Sequence, residues 1–63
     1  MEDLNFDYEY SILVVGKSGK TYGYNIEADS GLNALNVTKE FFRDDYPEDE
    51  IRFMRIENGE EIK

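Results

Sequence analysis

The stretch from Tyr8 to Ala28, YEYSILVVGKSGKTYGYNIEA, constrains the fold more than any other. Tyr8, Tyr10, Ile12 and Val14 alternate with Glu9, Ser11, Leu13 and Val15, which is the two-residue period of a strand. GKSGK punctuates the run with two glycines, and TYGYNIEA resumes the alternation with Tyr22, Tyr24 and Ile26 on one face. Two alternating runs about a short glycine-containing loop predict a β-hairpin. The four tyrosines at matching parity, Tyr8, Tyr10, Tyr22 and Tyr24, are expected to form one cross-strand aromatic cluster.

The loop also resembles a phosphate cradle, since Gly16-Lys17-Ser18 and Gly19-Lys20-Thr21 each reproduce the end of G-x-x-x-x-G-K-[ST]. That loop needs its first glycine so that successive N–H groups can turn toward the phosphates. Five residues before Gly19 stands Val14, and five before Gly16 stands Ser11. A β-branched valine resists the positive φ required. Nucleotide binding is excluded, and the lysines become a basic hairpin tip.

Beyond the hairpin, Asp29 or Ser30 offers an N-cap, and LNALNVTKEFFRDDY runs to Pro47, which ends a helix. At about 100° per residue, with Leu32 at zero, Ala34, Leu35, Val37, Thr38, Phe41 and Phe42 share an arc opposite Asn33, Asn36, Lys39, Glu40 and Arg43. The arc, with Leu32, is wider than one sheet face requires. IRFMRI, residues 51–56, reads as a third strand with Ile51 and Phe53 on one face and Met54 and Ile56 on the other. Asn58-Gly59 is a turn signal, so Glu60 to Lys63 either fold back as a short fourth strand or fray. The expected class is α+β: a small antiparallel sheet in the order β-β-α-β with one helix on one face, in a single domain over 1–63, residues 1–7 forming a loosely ordered acidic N-terminus.

At 63 residues with no Cys and no His, the chain has neither disulfides nor an ordinary zinc site to support a small core. Self-association is the remaining common device. One helix leaves a sheet face bare while strand 1 is apolar on both sides, which argues independently for a second copy. The expected interface comprises Leu13, Val15, Met54 and Ile56. No stretch has the length of a membrane span, and the acidic start MEDLNFDYEY does not resemble a secretory signal, so a cytoplasmic protein is expected.

Fifteen acids against seven bases give a net charge of −8. Direct nucleic-acid binding is disfavoured because phosphate contacts need Lys and Arg, and a basic partner is favoured. Without His, Cys or a serine in a nucleophile elbow, catalysis is not expected, and no cofactor or metal is implied. DDYPEDE, Asp44 to Glu50, holds five acids in seven residues, but Pro47 in its middle breaks the calcium-loop pattern. Acids at a helix C-terminus oppose the helix dipole, so they point to a partner outside the fold or to a solvated loop. An acidic rim about an apolar centre suits a protein that occupies a DNA-binding groove, carboxylates standing in for phosphates.

YSILVV, the Gly19-Lys20 hairpin end, YGY, a phenylalanine-bearing helix ending near a tyrosine, and DEIRFMRI together resemble the small dimeric uracil-DNA glycosylase inhibitors of podoviruses that infect Bacillus. The resemblance implies a β-β-α-β dimer in an infected host cell that mimics DNA and captures the side chain the glycosylase inserts into the minor groove. The expected partner contact comprises Glu40, Phe41, Phe42, Asp44, Asp45, Tyr46 and Glu48, with Tyr24 and Glu27 on strand 2. The family's Phe-Glu-x-x-Tyr pattern meets Phe42 and Tyr46 here with Arg43 in the glutamate position; a shifted register brings in Glu40 and Phe41 instead. Gly23 stands where the family has an acid. Two further readings stay open: an acidic module that inhibits another DNA-binding host protein, such as a nuclease or transcription factor, and a structural or assembly module.

Overall fold

The computed structural model describes residues 7–62. The order is β1 (Tyr8–Gly16), β2 (Thr21–Ala28), α1 (Gly31–Asp45) and β3 (Ile51–Glu61). The three strands make one antiparallel sheet in the order β2-β1-β3, with α1 packed on one face. The α+β class and the β-β-α-β order expected from the residue pattern are those observed. No helix among the described residues is long and apolar enough to cross a membrane.

The hairpin closes through a three-residue loop, Lys17-Ser18-Gly19. Gly16 N–H donates to the Lys20 carbonyl and Gly19 N–H to the Gly16 carbonyl, both at 2.9 Å. Gly19 has φ 93°, the left-handed conformation that a type I turn followed by a bulge requires and that glycine adopts without strain. From that closure β1 and β2 pair without interruption, from Val15 opposite Thr21 to Tyr8 opposite Ala28. This register separates the tyrosines that the alternation suggested would cluster. Tyr22 and Tyr24 lie beside the turn, whereas Tyr8 and Tyr10 lie at the far end of the ladder, opposite Ala28 and Ile26. Two groups result: Tyr8 with Tyr10, ring centres 6.0 Å apart, and Tyr22 with Phe42 and Tyr46, at 5.0 and 4.3 Å.

Ser30 caps the helix, its Oγ accepting from Asn33 N–H at 3.2 Å, and Pro47 follows the Tyr46 C-cap, whose N–H bonds the Phe42 carbonyl at 2.8 Å. Ala34, Thr38 and Phe42, each one turn from the next, are the buried helical positions. They meet Ile12, Val14, Ile26 and Ala28 from the sheet. The buried Thr38 hydroxyl is satisfied by the Ala34 carbonyl at 2.8 Å.

β3 departs from the sequence reading in two ways. The ladder between β1 and β3 shifts register twice, leaving Arg52 and Glu57 as extra residues on β3. The first bulge reverses the alternation: Ile51 and Met54 both pack against the core while Phe53 takes the opposite face. Ile51 and Phe53, expected on one face, are therefore on different ones. The second correction concerns Asn58-Gly59, which does not turn the chain; β3 continues to Glu61 with no fourth strand among the described residues. The Tyr8–Ser11 half of β1 needs a partner on that side, and it outweighs the local turn preference. Gly59 serves a close approach instead, since a Cβ there would stand 2.9 Å from the Tyr10 ring. The acidic segment 1–6 lies outside the described residues, and the Asp7 carbonyl accepts from Ile62 N–H at 2.9 Å.

Candidate partner-binding surface

The acidic run after the helix divides into acids the fold uses and acids it leaves outside. Asp49 is the most engaged. It accepts from Ser18 Oγ at 2.6 Å and from the Tyr22 hydroxyl at 2.8 Å, and its other oxygen accepts from Ser18 N–H at 3.2 Å and Glu50 N–H at 2.8 Å. Donors led by the Ser18 hydroxyl outweigh partial burial and hold this carboxyl down at about 2. Burial, then donation to Asp49, pushes the Tyr22 hydroxyl above its ordinary value. Beside Asp49, Lys17 pairs with Glu50 at 2.9 Å, and the Lys17 N–H bonds the Glu50 carbonyl at 2.8 Å. The lysine read as part of a basic tip is thus engaged by the connection between α1 and β3.

Asp45, one turn beyond Phe41, accepts from the Tyr24 hydroxyl at 3.0 Å. Burial and that bond push Tyr24 up to about 12. This contact shows which way the helix lies: the flank with Val37, Phe41 and Asp45 overhangs β2. The other flank faces β3, where Lys39, Phe42, Arg43, Pro47, Glu50 and Ile51, with Asp49, line an open pocket of about 260 Å³.

The residues assigned to partner contact consequently separate. Phe42 is 2% exposed and belongs to the core. Tyr46 is half-buried on Tyr22. Phe41, by contrast, is 48% exposed, with Glu40 and Asp44 outward on neighbouring helical positions. Glu40 also pairs with Arg43 at 2.7 Å. Asp44 and Glu48 are exposed and make no ion pair among the described residues. Of the two helix registers left open by the sequence, the one with Glu40 and Phe41 faces solvent and the one with Phe42 does not.

The sheet face away from the helix has an order that was not read from the sequence. Its side chains fall into cross-strand rows: Thr21, Val15 and Phe53; then Gly23, Leu13 and Arg55; then Asn25, Ser11 and Asn58; then Glu27, Glu9 and Glu60. The face grades from apolar at the hairpin end to three glutamates abreast at the other. Like charges directly opposite, about 5 Å apart, oppose pairing. Glu27 was singled out on other grounds; Glu9 was legible as its neighbour once the loop length is known, while Glu60 depends on the bulge at Glu57. Met54 and Ile56 are not on this face with Leu13 and Val15: they lie opposite Val14 and Ile12, on the helix side. Phe53 takes their place. Among the described residues no cluster of three or more His, Cys, Asp or Glu is arranged to hold a metal.

Comparison with family models, with curated proteins and with solved structures finds no match to the chain.

Proposed function

We propose that this chain is an acidic DNA mimic that binds a host uracil-DNA glycosylase and blocks uracil excision by occupying its DNA-binding groove, without chemistry of its own. The observation that carries the reading is the exposed Phe41 set between Glu40 and Asp44 on a helix anchored to the sheet through Tyr24 and Asp45. An apolar centre with carboxylates at its rim offers the groove both what phosphates offer and a surface for an inserted apolar side chain. The fold order agrees with what the resemblance implies, and the choice of target rests on that resemblance.

Burial of an inserted leucine or phenylalanine contributes roughly 1.5–3 kcal/mol that salt does not screen, while the carboxylate rim weakens as ionic strength rises. The test is uracil excision from a uracil-containing oligonucleotide by a bacterial uracil-DNA glycosylase, with the protein titrated from substoichiometric to excess. Complete inhibition at two chains per enzyme, lost in Phe41→Ala, supports the reading. Unchanged excision at large excess removes it.

A second reading is favoured by the row of Glu9, Glu27 and Glu60, which lies on the opposite face from Phe41. Acidic residues on two faces suit a partner with a wide basic surface, such as a nuclease or transcription factor. Competition with that protein's own DNA, abolished by Glu9→Gln with Glu27→Gln but not by Phe41→Ala, distinguishes it.

A further inference from the structure

The open pocket between α1 and β3 lies on the opposite flank of the helix from Phe41, away from the surface assigned to the glycosylase. Its floor is apolar, formed by the core residue Phe42 with Pro47 and Ile51. Lys39 and Arg43, one helical turn apart, make one wall, and Asp49 and Glu50 make the other. The two walls differ in what they have left to offer. Each Asp49 oxygen already accepts two hydrogen bonds, and Glu50 is held by Lys17 at 2.9 Å. On the helix wall Lys39 makes no ion pair among the described residues, and Arg43 uses one nitrogen on Glu40. Both cations therefore keep N–H donors to give, while the carboxylates opposite are already matched.

From these unequal walls we infer that the pocket binds a small organic acid: an aromatic ring carrying a carboxylate on a short chain. The ring lies on Phe42, Pro47 and Ile51, and the carboxylate accepts from the Lys39 ammonium and the remaining Arg43 N–H groups, each a charge-assisted bond. A bare inorganic anion leaves the apolar floor uncovered, and an apolar cation meets like charge at the helix wall. Volume sets the size. The pocket, at about 260 Å³, falls just under the roughly 300–1,000 Å³ of drug-sized ligand clefts, so one ring system with a short chain fills it. Such a ring extends the aromatic cluster that Phe42 already forms with Tyr22 and Tyr46. The net charge of −8 opposes any anion at long range, so recognition rests on these two cations at contact distance.

The inference stands on the pocket and not on the choice of target, so it holds or fails whether or not the chain inhibits the glycosylase. The test is titration of the isotope-labelled full chain with phenylpropionate, followed by amide NMR shifts. Saturable shifts centred on Lys39, Arg43 and Ile51 are expected, with about tenfold weaker binding of phenylpropionamide, which lacks the charge, and of acetate, which lacks the ring. Lys39→Gln is expected to weaken phenylpropionate by about tenfold, and Lys20→Gln, at the hairpin tip, to leave it unchanged. Both lysines are exposed, so neither variant disturbs the core. No saturable shift, equal binding of the amide, or equal weakening by the two lysine variants overturns the proposal. Tighter binding of a peptide ending in phenylalanine than of the free acid transfers the pocket to a protein partner and overturns it as well.

Discussion

The hydroxyl of Ser18, at the hairpin tip, donates to the carboxylate of Asp49 at 2.6 Å, joining two connections 31 residues apart in sequence. Tyr22 shares the same carboxylate oxygen, so one side chain ties the hairpin, the aromatic cluster and the entry to β3.

Stability in acid should report that joint. The Asp49 carboxyl falls from 3.8 to about 2 in the fold, so its charged form is favoured there. Its contribution is complete above pH 3.8 and is lost as pH falls through about 2. Urea unfolding of the wild type and Asp49→Asn across this range is expected to show a higher wild-type midpoint at neutral pH and a gap that closes between about pH 4 and 2. A gap independent of pH would mean that shape, not charge, holds the joint.

At alkaline pH the sign reverses. The Tyr24 hydroxyl titrates near 12 instead of 10, so its neutral form is the one the fold favours, and that contribution is present below pH 10 and lost as pH rises through 12. Tyrosinate absorbance should show, alongside the raised transition of Tyr22, a transition near pH 12 that disappears in Tyr24→Phe. In Asp45→Asn it should move down toward the ordinary tyrosine value, burial retaining part of the shift.

Adjacent phenylalanines give opposite results. Phe42→Ala empties the centre of the core and is expected to cost about 3–5 kcal/mol, enough to unfold so small a domain. Phe41→Ala removes a largely exposed ring and should leave the thermal midpoint close to wild type while abolishing the proposed inhibition.

Replacing the central acid of the glutamate row relieves repulsion on both sides at once. Glu9→Gln is expected to raise stability by about 0.5 kcal/mol at low ionic strength. The gain should shrink in high salt, which a chemical denaturation series at two salt concentrations would show.

Two strand glycines differ in the space around them. A Cβ on Gly16 would collide with the Asp49 carboxylate, whereas one on Gly23 meets nothing within 4 Å. Gly16→Ala should therefore lower the unfolding midpoint by displacing Asp49, and Gly23→Ala should raise stability by roughly 0.5–1 kcal/mol through reduced backbone freedom in the unfolded chain.

Alternation from Tyr8 to Val15 and from Thr21 to Ala28 made the hairpin readable, because one face of each strand is buried and the other is not. Ser30 and Pro47 bounded the helix for local reasons that any neighbourhood preserves. β3 was harder. Its bulges exist because two strands must stay paired over a long ladder, and nothing within IRFMRIENG announces an extra residue at Arg52 or Glu57. That single unseen residue decided whether Phe53 or Met54 faced the helix. Asp49 was obscure for a related reason: within DDYPEDE all acids look alike, and only the folded hairpin selects the one that meets Ser18 and Tyr22.

The core formed by Ile12, Val14, Ile26, Ala28, Ala34, Thr38 and Phe42 is small, and this bears on how such a chain can diverge. Few positions restrict which side chain they accept, and β1, flanked on both edges, holds two of them. Substitutions can accumulate on the outer helical positions and along the distal half of β3 with little effect on architecture. Descendants of one ancestor built this way would retain the strand order and the helix placement long after their sequences had ceased to align.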